Sequence, residues 1–150
     1  MPLNRKDRAL VAAAEDIIRR MHVPDWQHVG AAVRTRSGRV YTAVNLDAYV
    51  SRCAVCAEAI ALGKAFSEGE REFDTIVAVR WAGDGKPRVA SPCGICREVF
   101  TDYGDPWVIH ATKKGLARSR ASALLPSRYG RNGEAHSTPK QRDAWRPRSR

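Results

Sequence analysis

No run of apolar residues comes near the roughly 18 needed to cross a bilayer. The opening segment MPLNRKDRAL also lacks the apolar stretch of a secretory leader, so a membrane-spanning chain is excluded and a cytoplasmic location is expected. Cysteine is scarce: four in 150 residues are too few to staple a chain of this size, which points to reduced thiols. No glycine-rich phosphate cradle occurs, which removes support for a nucleotide substrate or a nicotinamide cofactor. Aliphatic side chains all but vanish near the end. Residues 127–150, SRYGRNGEAHSTPKQRDAWRPRSR, hold seven basic and two acidic side chains, half of the net charge of +10. Such a segment cannot offset its ordering entropy by burial. Residues 1–126 are expected to form the folded domain and 127–150 a mostly disordered basic tail, with Tyr129 ordered at its start. The tail is expected to be a solvated extension. A nucleic-acid-binding arm is the alternative, because clustered arginine displaces counterions from phosphate.

Periodicity places the elements. Asn4 is a candidate N-cap with Asp7 in the first turn, and Leu10, Val11, Ala14, Ile17, Ile18 and Met21 share one helix face as far as about His22. Strands are expected at Val29–Arg34 and Arg39–Asn45, joined by Ser37-Gly38. The helix AEAIALGKAF, with Ala59, Leu62, Ala65 and Phe66 on one face, closes at Gly69. The apolar run Thr75–Trp81 suits a central strand. A short strand, Arg88–Ser91, leads into a helix from Gly94 to about Gly104, and Trp107–Ala111 forms another strand beyond Pro106. The main order is α-β-β-α-β-α-β, a three-layer α/β domain on a mixed sheet. Trp81 and Trp107 are expected in the core, and Trp26 either there or on a pocket wall.

Chemistry concentrates in two motifs. Cys56-Ala57-Glu58 is followed 34 residues later by Pro92-Cys93-Gly94-Ile95-Cys96, each at a predicted helix start. Three thiolates with a fourth position open are the catalytic form of a zinc site, and Glu58 is placed to move protons beside it. Three thiolates around Zn²⁺ leave a net charge of −1, which helix N-termini and the adjacent Arg97 can balance. Cys53-x-x-Cys56 with Cys93-x-x-Cys96 would instead make a closed structural knuckle, but that leaves Glu58 and Pro92 without a role. Cys53 is therefore expected to be a small buried filler. His22, His28, His110 and His136 have no useful spacing with the cysteines and receive no ligand role.

A Pro-Cys-x-x-Cys with an upstream ligand-x-Glu resembles the zinc-dependent nucleobase deaminases. With Cys in place of His as first ligand, the chain is similar to the free-nucleoside branch, cytidine deaminases and blasticidin S deaminase. Val29-Gly30-Ala31-Ala32, Val44-Asn45, Ser91-Pro92-Cys93-Gly94, Cys96-Arg97 and Leu124-Leu125-Pro126 extend the resemblance. It implies a three-layer α-β-α cytidine-deaminase-like fold and a hydrolase that releases ammonia from a cytosine-type aminopyrimidine nucleoside. Zinc would be held by Cys56, Cys93 and Cys96, with Glu58 as proton shuttle. Asn45 and Asp47 stand where the family's Asn-x-Glu holds ribose, and backbone groups at Ala57 and Ser91 would hold the ring edge. Tyr129 stands where relatives place an aromatic that reaches a neighbouring subunit's substrate, which implies a homo-oligomer, a tetramer or a dimer. Ala59 replaces the family's usual Arg, and Trp26-Gln27 replaces an upstream Phe. Leu-Gly-Lys-Ala after the first motif and the Leu-Leu-Pro-Ser ending resemble the blasticidin branch. A modified nucleoside, free base or triazine thus stands as an alternative substrate, and a non-catalytic zinc or RNA-binding module as an alternative class.

Overall fold

The chain enters its first helix through a reciprocal cap. In the computed structural model, which describes residues 2–130, the Asn4 side chain accepts from the Asp7 amide at 2.9 Å and the Asp7 carboxylate from the Asn4 amide at 3.2 Å. The first helix, α1, spans Arg5–Met21 and buries Leu10, Ala14 and Ile18, as the periodicity predicts. It lies very close to the sheet. A Cβ at Gly30 would fall 2.7 Å from the Ala14 carbonyl oxygen and 2.9 Å from Ile18 Cβ, so only glycine fits there.

The strands are β1 (Val29–Thr35), β2 (Val40–Val44), β3 (Phe73–Trp81), β4 (Pro87–Ala90), β5 (Trp107–Thr112) and β6 (Gly115–Arg120), and the remaining helices are α2 (Ala57–Ser67) and α3 (Gly94–Asp102). The sheet is mixed, in the order β2-β1-β3-β5-β6, with β4 also paired to β3. Only β3 and β5 run parallel. The apolar run in β3 is explained by burial on both faces: Val77 and Val79 meet α1, while Ile76 and Ala78 join the cluster built with α2 and α3. The result is three layers. One edge of β3 is shared, its first half (Thr75–Val77) pairing with β5 and its second (Ala78–Trp81) with β4. The chain leaving β4 reaches α3 beside that changeover.

Several sequence expectations change. In α2 the buried residues are Ala57, Glu58, Ala61, Leu62 and Ala65, so the helix is rotated from the expected face and carries Glu58 inward. Strand β6 was not foreseen, because its sequence GLARSR has almost no apolar alternation. Its arginines do the packing instead: Arg118 and Arg120 each lie 4.4 Å from the Trp107 ring centroid. Trp107 is therefore half-buried under guanidinium groups, and Trp81 is half-buried with its ring stacked on His22 at 4.6 Å. Trp81 packs at the margin of the core under α1, while Trp107 belongs to neither core cluster. Trp26 is 36% exposed and meets Tyr49 edge-on, outside the core. Arg128 pairs with Asp102 at 3.2 Å, so the ordered chain continues past residue 126. The rest of the basic tail, residues 131–150 with His136, lies outside the described residues.

A buried ionic cluster ties these layers together. The fully buried Asp7 carboxylate meets Arg34 at 3.1 Å and Arg118 at 3.0 Å, and Arg34 also pairs with Asp74 at 2.7 Å and donates to the Lys6 carbonyl and the Thr75 hydroxyl. Burial alone would push the Asp7 carboxyl up; hydrogen bonds from Arg34, the Asn4 amide and Arg118 outweigh it and hold the pKa below the usual aspartate value. The associated stability is thus complete above the unfolded aspartate pKa and lost as pH falls through the lowered folded one. Asp7→Asn keeps the shape but removes the carboxylate that Arg34 and Arg118 both face, leaving Asp74 to Arg34. It is expected to destabilise the domain by about 3–5 kcal/mol, measured by denaturant unfolding near neutral pH. The difference from the parent should shrink as pH drops below the carboxylate range. An effect under about 1 kcal/mol would mean that the cluster is worth no more than a surface pair.

Candidate active site

Two helices begin with cysteine where Ser, Thr, Asp or Asn would be usual. Cys56 is the N-cap of α2 and Cys93 the N-cap of α3, and neither side chain makes a capping hydrogen bond. Both thiols are left for other work. Cys96, fully buried in the first turn of α3, completes the group: the three sulfurs lie within 4.8 Å of one another, and Cys56 Sγ is 3.6 Å from Cys93 Sγ. Tetrahedral zinc with bonds of about 2.3 Å sets its sulfurs ~3.8 Å apart, so the donor set and its spacing fit that ion. Two helix N-termini face the cluster, each contributing roughly half a positive charge toward three thiolates.

Cys53 does not join this cluster. It is exposed at the end of a 3-10 turn, Ser51–Cys53, in which no residue is buried. The expectation of a buried filler is corrected, because that turn packs no side chain inward.

Arg97 is bonded rather than free to face the thiolates. Its Nε donates to the Pro92 carbonyl at 3.0 Å and its Nη1 to the Leu124 carbonyl at 2.9 Å. The guanidinium thereby fixes the turn before Cys93 and pins the carboxy-terminal segment against it. The neighbouring Ser91 hydroxyl, donating to the Ala111 carbonyl at 3.1 Å, ties the same turn to β5.

Glu58 is 6% exposed, one residue into α2. Burial pushes its carboxyl above the ordinary value, while hydrogen bonds from its own amide and from Cys96 pull the other way. Burial likewise raises the Cys56 and Cys96 thiols in the absence of an ion. Glu58, Cys56, Ala57, Cys93 and Ser91 line one cavity of about 430 Å³, together with Asn45 and Asp47. Two of the three clustered thiols, Cys56 and Cys93, thus open onto a pocket lined by a buried carboxylate, with Cys96 buried beside them.

Asn45 is nearly buried, and its side chain is largely committed: Oδ1 accepts from the His28 and Val29 amides, each at 2.9 Å, and Nδ2 donates to the Trp26 carbonyl at 2.9 Å. One N–H of the amide remains for a ligand. The Asp47 carboxylate accepts from the Ala48 amide at 2.8 Å. Backbone bonds between Leu46 and Val55 close the loop, so Asn45 and Cys56 are held across one bridge. Tyr129 is 79% exposed and does not line the cavity.

Two lining residues, His28 and Arg80, were not anticipated. His28 has no useful spacing with the cysteines in sequence, and the fold alone brings it to the cavity. Arg80 had a legible signal, a cation interrupting the apolar run TIVAVRW on the face that carries Ala78.

Comparison with known proteins agrees with this geometry. Residues 4–112 match the family model described as the cytidine and deoxycytidylate deaminase zinc-binding region. The chain is 42% identical over 135 residues to a blasticidin-S deaminase of Bacillus cereus, covering 87% of this chain and 96% of that one. It is 39% identical over 104 residues to a cytidine deaminase of Halalkalibacterium halodurans, covering 67% and 76%. Among solved structures, cytidine deaminase from Burkholderia pseudomallei superposes with a TM-score of 0.69 at 28% identity, covering 85% of this chain and all of that one.

Proposed function

The chain belongs to the cytidine and deoxycytidylate deaminase family of zinc-dependent hydrolytic deaminases, and from that premise we propose that its substrate is a cytosine-type aminopyrimidine nucleoside. The observation that carries this reading is the cavity itself, which Cys56, Cys93 and the buried Glu58 line, with the Cys96 sulfur clustered beside the other two. Cys56, Cys93 and Cys96 would hold the zinc ion. When bound, it supplies the Lewis acidity that lets water act as a nucleophile near neutral pH.

Glu58 performs the proton work. Its carboxylate takes one proton from the attacking water as oxygen bonds to the ring carbon that bears the amine and passes it to the adjacent ring nitrogen, then takes the second from the new hydroxyl and passes it to the departing amine. The carbon–nitrogen bond breaks and ammonia leaves, with the ring carbonyl formed in its place. A raised carboxyl pKa favours both duties, since the group must hold the proton between them. Backbone groups at Ala57 and Ser91 hold the ring edge. Asn45 presents its remaining N–H, and Asp47 its carboxylate, to the sugar. Tyr129, exposed on one copy, covers the ring bound by a neighbour in a homo-oligomer. Residues 1–126 carry the chemistry and the basic segment from 127 is accessory to it.

A second substrate reading, a modified nucleoside of the blasticidin S kind, is favoured by Ala59 and by the extent of the similarity to the Bacillus cereus protein. Ammonia release by the zinc-loaded chain from cytidine, deoxycytidine, free cytosine and blasticidin S decides between them. Turnover of at least one of the nucleosides or of blasticidin S, with cytosine at least about tenfold poorer in kcat/KM, is expected because sugar contacts contribute binding energy. Ammonia from none of the four would remove the substrate assignment.

A further inference from the structure

The β5–β6 hairpin carries charge of one sign. Residues 106–133 contain no aspartate or glutamate and six basic side chains, Lys113, Lys114, Arg118, Arg120, Arg128 and Arg131. Arg118 and Arg128 meet Asp7 and Asp102. Lys113, Lys114 and Arg120 are exposed, and among the described residues none of the three has a carboxylate within ion-pair distance. Elsewhere on the sheet Arg34, Arg39 and Arg88 are each paired with an acid.

Register gathers this charge on one face. Trp107 stands opposite Arg120, Ile109 opposite Arg118 and Ala111 opposite Leu116, so the six share a side of the sheet, the side on which Ile109 packs with Leu10 of α1. Helix α1 packs chiefly on β1, β2, β3 and β4. The hairpin continues past it as a shelf on which Ala111, Leu116 and Arg120 are exposed. The Arg118–Asp7 contact draws the first turns of α1, with Arg5, Lys6 and Arg8 exposed, to the margin of that shelf. None of these side chains lines the cavity that holds Glu58.

Arg120 is held from two directions: its guanidinium lies 4.4 Å from the Trp107 ring centroid, and its Nη1 donates to the Asp105 carbonyl at 3.0 Å. A guanidinium fixed over an aromatic ring and exposed on its outer side is a platform for an unpaired nucleobase. The surrounding lysines and α1 cations suit the phosphates that link such bases. A lipid surface would call for apolar side chains to insert, and Leu116 is the one large aliphatic exposed on the hairpin. A duplex keeps its bases stacked on one another and would leave the platform empty.

We propose that the shelf formed by β5–β6 and the first turns of α1 binds single-stranded nucleic acid, with a base on Arg120 and phosphates along Lys113, Lys114 and the α1 cations. The sequence that follows reinforces it. Arg128 is anchored at Asp102, three residues before Asp105, and residues 131–150 add six basic and two acidic side chains, with Arg142 and Arg146 flanking Trp145.

The test is fluorescence anisotropy of a labelled oligouridylate of about 20 nucleotides with the zinc-loaded full chain, its affinity expected to fall more than about tenfold between roughly 50 and 200 mM salt. Lys113→Ala/Lys114→Ala/Arg120→Gln should weaken binding by about tenfold or more and reduce the slope of log affinity against log salt by about two. Lys113→Ala/Lys114→Ala alone, at side chains outside the packing, should reduce that slope by about one, with melting temperature and zinc content unchanged. A control with the same loss of charge at acid-paired arginines, Arg19→Gln/Arg20→Gln/Arg88→Gln, should bind within about twofold of the parent. Deleting residues 131–150 should weaken binding while keeping its sensitivity to the hairpin substitutions. Several results would overturn the assignment: no binding at the lower salt, equal or tighter binding to a duplex of the same length, to poly-glutamate or to anionic phospholipid vesicles, or a hairpin variant no weaker than the control. Loss of all binding on deletion of 131–150, with the hairpin variants unaffected, would overturn the shelf as well.

Discussion

Glu58→Gln is expected to lower turnover by on the order of 10²–10⁴-fold while leaving about one zinc ion per chain. The substitution is nearly isosteric, so the buried position in the first turn of α2 stays filled. What disappears is a group able to accept a proton and return it. The metal should stay, because the clustered donors are the three sulfurs and the carboxylate is not among them. Ammonia release and elemental analysis on the same preparation check both halves. Turnover within threefold of the parent would take Glu58 out of the proton transfers, and loss of zinc would make it a ligand.

Cys96→Ala should empty the site. Cys96 is fully buried and supplies one of three sulfurs, so its removal leaves two donors and a void, and zinc content should fall from about one per chain to near zero, with turnover at background. Cys93→Ala should behave alike. Cys53→Ala, at an exposed position outside the cluster, should retain both metal and activity. Thermal unfolding gives a second readout: chelator should lower the melting temperature of the parent and of Cys53→Ala, but leave Cys96→Ala unmoved, since a ligand stabilises only the fold that binds it. If Cys53→Ala lost zinc as well, the exposed thiol would be a fourth ligand and the site a closed one.

The features legible in the sequence are those written in local chemistry. Asn4 and Asp7 announce α1 because a capping box is a four-residue device, and two cysteine motifs at helix starts announce the thiol cluster. What stayed hidden depends on distant partners. GLARSR gives no strand signal because β6 is held by Arg118 on Asp7 and on Trp107, contacts that hydrophobic periodicity does not encode. The α2 face was misjudged because Glu58 counts as polar in any pattern, yet it turns inward toward the cavity. Cys53 looked like filler because cysteine is usually buried, and nothing adjacent marks the surface turn. Asn45 was read for its place in a motif, whereas most of its hydrogen-bonding capacity goes to the backbone at residues 26–29.

The contact between Asp7 and Arg118 joins residues 111 apart. On a translating ribosome that separation becomes a delay. At elongation rates of about 5–20 residues per second, Asp7 emerges roughly 6–22 s before its second arginine exists. Throughout that interval α1 can form its cap and meet Arg34, but β6, which fastens the sheet's outer edge, has not been made. The order of synthesis therefore sets the order of completion: the helix forms first and its buried counter-charge arrives near the end. Long-range closure of this kind slows folding, and until β5 and β6 are made the nascent domain leaves the Thr75–Val77 edge of β3 uncovered.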